Sequence, residues 1–245
     1  MKSIKKHLIV INTYNRIDEL NKTIRSIIKS KIKGDICIIS KGNETTKEIK
    51  HPIKYFHKVI NIGREAHGYI WAFLKYPHYQ IYTFMQDKPY ESEKGFYGKQ
   101  INRCFSAILQ KKCDFCTSMP LAISLSKSYL PRKVGSEINI NYLASKFQIP
   151  SKNYFKFSIG ACFSIDGARL RERISTLKKL DLLCKRKTFA WEMEIFWMSL
   201  SNKPAKLEGK NLVYISQENL SFKERMKLAY LKAIYLFKKS RILRA

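Results

Sequence analysis

The segment Gly63-Arg64-Glu65 combines three residue types that together suit an anionic ligand. A glycine lets a ligand approach the backbone closely, an arginine binds phosphate or carboxylate, and a glutamate can orient that arginine. The alternative is an ordinary arginine–glutamate pair that caps the following helix. The segment therefore predicts either an anion-binding loop or a helix cap.

Two further candidates for chemistry are Glu192 and Glu194, which lie in the apolar, aromatic stretch FAWEMEIFW. Desolvation in such surroundings raises the pKa of a carboxyl group towards the range in which it works as a general base. Two positions apart on a helix, the two side chains cannot face the same way. The alternative for Glu194 is a buried carboxylate with a structural hydrogen bond.

The elements that must position these residues follow from hydrophobic periodicity. The first part of the chain alternates short β-type runs with helical patterns, at residues 7–11 (β), 17–30 (α), 35–40 (β), 54–60 (β), 66–76 (α) and 81–85 (β). This alternation predicts a parallel or mixed sheet with helices on both faces, in which ligands bind beyond the carboxyl ends of the strands. Polar side chains follow the predicted strands at those ends: Thr13, Tyr14, Asn15, Arg16, Lys41, Gln86, Asp87 and Lys88.

Beyond residue 99 the patterns are weaker. We expect a helix over 101–110, a loop with short extended pieces over 115–126, a β segment over 155–165, and helices over 170–183 and 188–200. Because no repeat or flexible linker is visible, a single domain over residues 1–218 is predicted. A separate basic amphipathic helix is predicted over 219–245.

Composition limits the class of protein. In 245 residues, 45% are hydrophobic and 13% aromatic, which supplies a core and argues against disorder. The cysteines lie mostly in apolar stretches, which indicates reduced, buried thiols and not a disulfide framework. No secretion signal or apolar stretch long enough to span a membrane is visible, so a cytoplasmic protein is expected.

The net charge of +28 has three explanations: scattered lysines in a Lys-, Ile-, Asn- and Tyr-rich chain, binding to nucleic acid, or binding to anionic lipid. Nucleic acid is the less expected partner, because no helix-turn-helix, RNP-type strand or zinc finger is recognisable.

The end of the chain favours anionic lipid. Ser221 and Glu224 form a capping-box signature, and a long basic helix should follow. Its apolar positions are Phe222, Met226, Tyr230, Ala233, Ile234 and Phe237. Such a helix suits an anionic membrane surface and would place the protein peripherally on the inner face of the membrane. The alternative is a helix packed on the domain with a solvated basic face.

The start of the chain resembles the first βα unit of GT-A type glycosyltransferases, in the stretch HLIVINTYNRIDELNKTIRSI. Four other stretches resemble a little-characterised family of glycosyltransferase-like domains of unknown function: NIGREAHGYIWAF, YTFMQDKPY, FSIGACFSIDGARLRERI and WEMEIFW. The resemblance covers most of residues 8–200. It implies an α/β GT-A (Rossmann-like) mixed sheet flanked by helices, with the basic amphipathic C-terminal helix outside it.

The resemblance also implies an activity, the transfer of a sugar from a nucleotide-diphosphate donor. The acceptor would be a lipid-linked glycan, a surface polysaccharide or a lipooligosaccharide. In the donor site Tyr14 would stack on the base, Thr13 and Asn15 would hydrogen-bond to base or ribose, and Arg16 and Lys41 would offset phosphate charge. Alternatively, Asn15 caps the following helix and Tyr14 is a packing residue.

Asp87 stands where GT-A enzymes usually have an Asp-x-Asp-like motif that holds Mn²⁺ or Mg²⁺. Only one carboxylate is present in Gln86-Asp87-Lys88, so Lys88 or Arg64 is the alternative partner of the diphosphate. Glu194 matches the second family's Glu-x-x-Trp pattern and is the first candidate for the catalytic base, with Glu192 second.

Two other functions stay open at this stage. One is a non-enzymatic basic binding protein for nucleic acid or anionic glycan. The other is a nucleotidyl- or phosphotransferase on the same fold.

Overall fold

The computed structural model describes residues 5–87, 98–129, 137–183, 187–216 and 218–242. Its first part alternates strands and helices as predicted: β1 Lys5–Thr13, α1 Ile17–Lys29, β2 Asp35–Ser40, β3 Tyr55–Lys58, α2 Arg64–Lys75 and β4 Tyr79–Gln86. The second part contains α3 Gly98–Leu109, β5 Phe115–Thr117, β6 Leu121–Leu125, β7 Lys127–Tyr129, β8 Glu137–Asn139, α4 Ile140–Lys146, β9 Tyr154–Ser158, β10 Phe163–Asp166, α5 Gly167–Arg171, α6 Ile174–Leu183, α7 Lys187–Phe196, β11 Pro204–Glu208, β12 Asn211–Tyr214 and α8 Phe222–Ile242.

The centre of the molecule is an eight-stranded sheet in the order β12-β11-β5-β10-β4-β1-β2-β3. Strands β1 to β4 are parallel to one another, whereas β10 runs antiparallel to both β4 and β5. Two small two-stranded sheets, β6–β9 and β7–β8, lie apart from it. The predicted α/β class, a mixed sheet flanked by helices with a C-terminal helix, is confirmed.

The strand order has a switch point at β1. The chain runs outward from β1 through β2 to β3 and then returns to place β4 on the other side of β1. In open α/β sheets, a crevice forms at such a point, beyond the carboxyl ends of the two strands. In this protein those ends are paired in register, with Asn12 opposite Gln86 and Thr13 opposite Ser40.

The core lies on both faces of the sheet. Along β1, Leu8 and Val10 pack in a cluster that includes residues of α2 and α7, and Ile9 and Ile11 pack in one that includes residues of α1 and α3. This period of two is what a strand buried on both faces requires. Burial on both faces explains why residues 8–11 of β1 are apolar at every position.

The structure corrects several predicted elements in the second part. The segment 155–165 is two strands, because a 3₁₀ turn at Ile159–Ala161 intervenes, with Gly160 at a φ of 81°. Strand β9 pairs with β6, and β10 joins the central sheet. The short extended pieces predicted within 115–126 are β5 and β6, as expected, whereas β11 and β12 were not predicted.

Two helices of the second part are also shorter in the structure than predicted. The helix predicted over 170–183 is divided between α5 and α6. The helix predicted over 188–200 is α-helical up to Phe196, as α7, and ends in a 3₁₀ turn at Trp197–Leu200.

Two sequence expectations concern the thiols and the membrane. The five cysteines within the described residues are free and buried, as expected; Cys184 lies outside the described residues. Within the described part of the chain, no helix combines the length and apolar character needed to cross a bilayer.

Candidate functional site

A cleft of roughly 470 Å³ opens at the switch point between β1 and β4. Nine residues line it: Asn12, Thr13, Tyr14, Arg16, Lys41, Asn61, Glu65, Gln86 and Asp87. Seven of these were predicted as site residues from the sequence, and Asn12 and Asn61 were not. The cleft is thus where the predicted polar strand ends come together.

The floor of the cleft is a hydrogen-bonded cluster around the Thr13 hydroxyl at the end of β1. This hydroxyl lies 2.8 Å from Glu44 Oε1 and 2.9 Å from Asp87 Oδ2, and the Tyr14 amide lies 3.3 Å from the same Asp87 oxygen. A hydroxyl has one proton and donates to one carboxylate at a time. All three side chains of the cluster, Thr13, Glu44 and Asp87, are buried.

Glu44 is the residue that ties this cluster to the loop after β2. It also accepts hydrogen bonds from the Ser40 hydroxyl at 2.8 Å and from the Arg16 amide at 3.1 Å. Burial alone would raise the pKa of Glu44, but these hydrogen bonds, together with those from Thr13 and its own backbone, hold the pKa below the ordinary glutamate value. Glu44 is therefore a carboxylate that fixes the loop carrying Tyr14 and Arg16.

The loop after β1 presents two side chains to the cleft. Tyr14 is 54% exposed, so its ring is not a packing residue of the core. Arg16 is half-exposed, with Nη1 3.8 Å from Asp87 Oδ1. Asn15 does not line the cleft and is not the helix cap; its Oδ1 accepts from the Asn43 amide at 2.8 Å and joins the two loops.

Lys41 supplies a second cation, from the end of β2. The residue is only 8% exposed, and its ammonium donates a hydrogen bond to the Ile62 carbonyl at 2.8 Å. Behind it, burial and the Lys41 charge lower the pKa of His67 to about 4, so this imidazole is neutral at pH 7. Its 3.6 Å contact with Asp181 is accordingly not an ion pair at that pH.

The groups around the Asp87 carboxylate show whether the described residues could hold the predicted cation. Oδ2 already faces the Thr13 hydroxyl and the Tyr14 amide, and Oδ1 faces Arg16. Mg²⁺ and Ca²⁺ take six or more oxygen ligands. Within the described residues, no three His, Cys, Asp or Glu side chains lie together as metal ligands. The described residues do not form a metal cage by themselves, and a cation here would depend mainly on diphosphate oxygens.

The opposite wall of the cleft is the start of α2. Gly63 precedes the helix with a φ of 56° and does not line the cleft, whereas Glu65 does. The Glu65 carbonyl accepts from Asn12 Nδ2 at 2.9 Å. A Cβ atom at position 68 would lie 2.1 Å from Asn12 Oδ1, so Gly68 is what allows α2 to approach β1 this closely. Arg64 begins α2, and its side chain lies outside the described part of the structure.

Glu194 of α7 reaches the same end of the sheet through the Gly160 turn. Its Oε1 accepts from the Gly160 amide at 2.6 Å, and the Gly160 carbonyl accepts from Gln86 Nε2 at 3.3 Å. Gln86 lines the cleft, so one glycine connects the cleft to Glu194. Glu192 is 3% exposed and is not among the residues that line the cleft, and the predicted ligand Lys88 lies outside the described residues.

Sequence reasoning missed Glu44, Asn12 and Asn61. The signal for Glu44 was a carboxylate in the polar turn directly after a buried strand, where an acidic residue can reach the neighbouring strand end. Asn12 is a polar residue inside an otherwise apolar strand, and such a residue at a strand end marks the edge of the core. Asn61 carried no signal beyond its place in a loop.

Comparison with known proteins complements this geometry. No protein-family model matches the chain. No curated protein matches it either. Among solved structures, the crystal structure of S. aureus TarS, a glycosyltransferase, matches with a TM-score of 0.50 and 13% sequence identity. The match covers 94% of this chain and 39% of TarS.

The chain has a glycosyltransferase-like fold. At this identity the likeness establishes the fold alone, since one fold carries many activities. Membership of the family suggested by the Asn-x-Gly-Arg-Glu and Glu-x-x-Trp stretches stays a prediction.

Proposed function

We propose that the chain is a glycosyltransferase that uses a nucleotide-diphosphate sugar as donor. The observation that carries the proposal is the cleft at the β1–β4 switch point, where an exposed aromatic ring stands beside two cationic side chains. The ring of Tyr14 is free to stack on a base, and Arg16 and Lys41 supply positive charge for a diphosphate. The fold shared with TarS supports the same activity.

The reaction we propose has one bond formed and one broken at the anomeric carbon of the sugar. An acceptor hydroxyl attacks that carbon, and the bond to the phosphate oxygen breaks, so that the nucleotide diphosphate leaves with the electron pair. The hydroxyl proton passes to a carboxylate base. Glu194 is the proposed base, because the Gly160 turn connects it to the cleft; Glu192 is the second candidate.

For the acceptor we propose a lipid-linked glycan, or a growing surface polysaccharide or lipooligosaccharide, modified on the cytoplasmic face of the membrane. The basic C-terminal helix supports this choice, because it would hold the enzyme at the membrane where such acceptors are made. The remaining site assignments are also part of the proposal: Thr13, Asn15, Gly63, Arg64, Glu65, Gln86 and Lys88 at the donor, and Asp87 on Mn²⁺ or Mg²⁺.

The first test is a thermal-shift screen with UDP, GDP, CMP and TDP, each with and without Mn²⁺. A ligand present at about 100 times its Kd should raise Tm by about 5 °C or more. Arg16→Gln should at least halve the shift, whereas Arg25→Gln, an exposed arginine on α1, should preserve it. Dependence of the shift on Mn²⁺ would support a metal at Asp87.

Failure of every nucleotide to stabilise the folded protein would contradict the proposal. Strong, salt-sensitive binding of nucleic acid under those conditions would instead favour the non-enzymatic alternative. If a nucleotide does bind, analysis of the products separates glycosyl transfer from nucleotidyl or phosphoryl transfer.

The base is tested by comparing Glu194→Gln with Glu192→Gln. The glutamine at position 194 can still accept from the Gly160 amide, so folding and nucleotide binding should be retained. Loss of the base should lower kcat by about 10²- to 10⁴-fold. If the loss occurs in Glu192→Gln instead, that residue is the base.

A further inference from the structure

Helix α8 has two apolar faces on opposite sides. One faces the protein, where Leu228, Leu231 and Tyr235 pack in a cluster with Ile123 and Leu125 of β6. The other faces outward and consists of five exposed side chains, which we call the outer stripe: Phe222, Met226, Tyr230, Leu236 and Phe237. Their exposed fractions are 75%, 58%, 67%, 63% and 60%.

The outer stripe follows from helical periodicity. Positions 222, 226, 230 and 237 recur about every 3.6 residues and therefore lie in one row, with 236 beside it. Elsewhere in the described chain, no helix or strand carries more than two exposed large apolar residues, and the pair on one element is Val213 and Tyr214 of β12. A concentration of exposed apolar surface on one helix marks an interaction site.

Basic residues border the outer stripe on both sides. Arg225, Lys232 and Lys239 recur every seven residues along one edge, and all are exposed. The other edge carries Lys223, Lys227, Lys238 and Arg241. The guanidinium of Arg241 lies 5.0 Å from the ring centre of Phe237, which places positive charge directly beside the stripe.

The only acidic residue of α8 is Glu224, and it points away from the outer stripe. It pairs with Lys156 of β9 at 3.2 Å and bonds the Ser221 amide at 2.8 Å, so it belongs to the packed side. Apart from the uncharged Ser240, the outward half of α8 therefore presents apolar and positively charged side chains, with no acidic residue among them.

We propose that α8 binds the surface of an anionic lipid bilayer through the outer stripe, with its axis parallel to the membrane. The stripe would enter the boundary between headgroups and acyl chains, and the two basic rows would contact anionic headgroups on either side. A protein partner would need acidic patches along both edges of an apolar groove, whereas an anionic bilayer offers this pattern everywhere. This inference is independent of the proposed transferase activity.

The test is co-sedimentation with vesicles of phosphatidylcholine alone and of phosphatidylcholine mixed with phosphatidylglycerol, without nucleotide. At about 0.15 M salt the Debye length is about 8 Å, so distant charges contribute little. The unmodified protein should bind the anionic vesicles and bind the neutral ones at least about tenfold more weakly.

Two triple variants separate the two parts of the surface. R225Q/K232Q/K239Q should lose roughly a hundredfold in affinity for anionic vesicles, whereas K22Q/K47Q/K50Q, which removes the same charge elsewhere, should stay within about threefold. M226Q/Y230Q/F237Q should lose at least about tenfold, since glutamine preserves the helix but not the apolar stripe. The single variant Phe222→Gln provides a milder change if the triple variant folds poorly.

Three results would overturn the inference. The first is equal vesicle binding by the protein and its stripe variant. The second is a dimer in solution that becomes monomeric in the stripe variant without any vesicle binding, which would assign the stripe to a second copy of the chain. The third is binding to duplex DNA, lost in the charge variant, with no binding to vesicles.

Discussion

In the cleft between β1 and β4, polar side chains are buried, whereas on the outer side of α8 apolar side chains are exposed. Thr13, Glu44 and Asp87 are at most 5% exposed and bond to one another across three loops. Phe222 and Tyr230 are 75% and 67% exposed. Burying polar groups costs free energy unless they are hydrogen-bonded, and an exposed apolar row marks an interaction surface.

The difference shows two ways in which function can be located in a structure without a ligand. The cleft is recognised because its internal hydrogen bonds hold a particular loop arrangement. Helix α8 is recognised because the fold leaves half of its apolar surface uncovered. Substitutions of the buried polar cluster should therefore affect stability, and substitutions of exposed side chains in either region should affect binding.

Among single substitutions, the largest effect on stability is expected for Glu44→Ala. This change removes the acceptor of the Ser40 hydroxyl and the Arg16 amide, and one of two acceptors near Thr13. The free energy of unfolding should fall by about 3 kcal/mol, because buried donors lose their partners. Urea unfolding measures it, with Glu208→Ala, an exposed glutamate, as the control that should change by less than about 1 kcal/mol. Equal effects of the two changes would contradict the role of Glu44.

A smaller loss is expected for Lys156→Met, which tests the packed side of α8. Lys156 is 5% exposed and donates to the Asn219 carbonyl at 2.7 Å as well as to Glu224. Its removal should lower the free energy of unfolding by about 2 kcal/mol. Amide hydrogen exchange should rise in α8 and remain unchanged in β1. Lys206→Met, which removes a surface pair with Glu208, is the matched control.

Acidification should weaken the cleft wall through His67. Burial and the Lys41 charge lower the pKa of His67 to about 4 in the folded protein, whereas its ordinary value is about 6.5. Between these two pH values, His67 binds a proton in the unfolded chain but not in the folded one. The contribution of His67 to the free energy of unfolding is therefore fully present above pH 6.5, and it falls by about 1.4 kcal/mol per pH unit between pH 6.5 and pH 4. Burial lowers the pKa of His7 to about 3, which adds a loss of the same sign.

The contribution of His67 is isolated by His67→Gln. This change should reduce the slope of the free energy of unfolding against pH by the amount that one proton contributes. Unfolding in urea at a series of pH values measures this slope. His78→Gln, at an exposed position, is the control. An unchanged slope in His67→Gln would show that its imidazole is protonated in the folded protein.

The smallest effect on stability is expected for Tyr14→Ala. The ring is 54% exposed, so the free energy of unfolding should stay within about 0.5 kcal/mol. Loss of base stacking should nevertheless weaken nucleotide binding by about 1–3 kcal/mol. Calorimetric titration with the nucleotide identified by thermal shift measures this; unchanged affinity would remove Tyr14 from the site.

The first part of the fold could be predicted because its signals are local. Strand β1 is a continuous apolar run, and α1 has a clear helical period, so the sequence alone places the polar residues 13–16 after a buried strand. Parallel strands with helical crossovers then bring their carboxyl ends to one edge. The cleft followed from those two facts.

The second part was less predictable because its pairing is not local. Strand β11 is short, begins with Pro204 and pairs with β5, some ninety residues earlier. The run 155–165 has uniform β character, but a 3₁₀ turn with Gly160 at a positive φ separates its two halves, which join different sheets. Likewise, Glu44 acquires its role only when the ends of β1, β2 and β4 meet.

The approach of α2 to β1 at Gly68 limits how this protein can diverge. Any side chain at position 68 would meet Asn12, whose Cγ and Oδ1 would lie 2.8 and 2.1 Å from the new Cβ. Relatives that keep this cleft should therefore retain glycine there, or change residues 12 and 68 together. Paired change at positions 12 and 68 would then indicate that the close approach of α2 to β1 is kept, because the steric limit acts on both residues together.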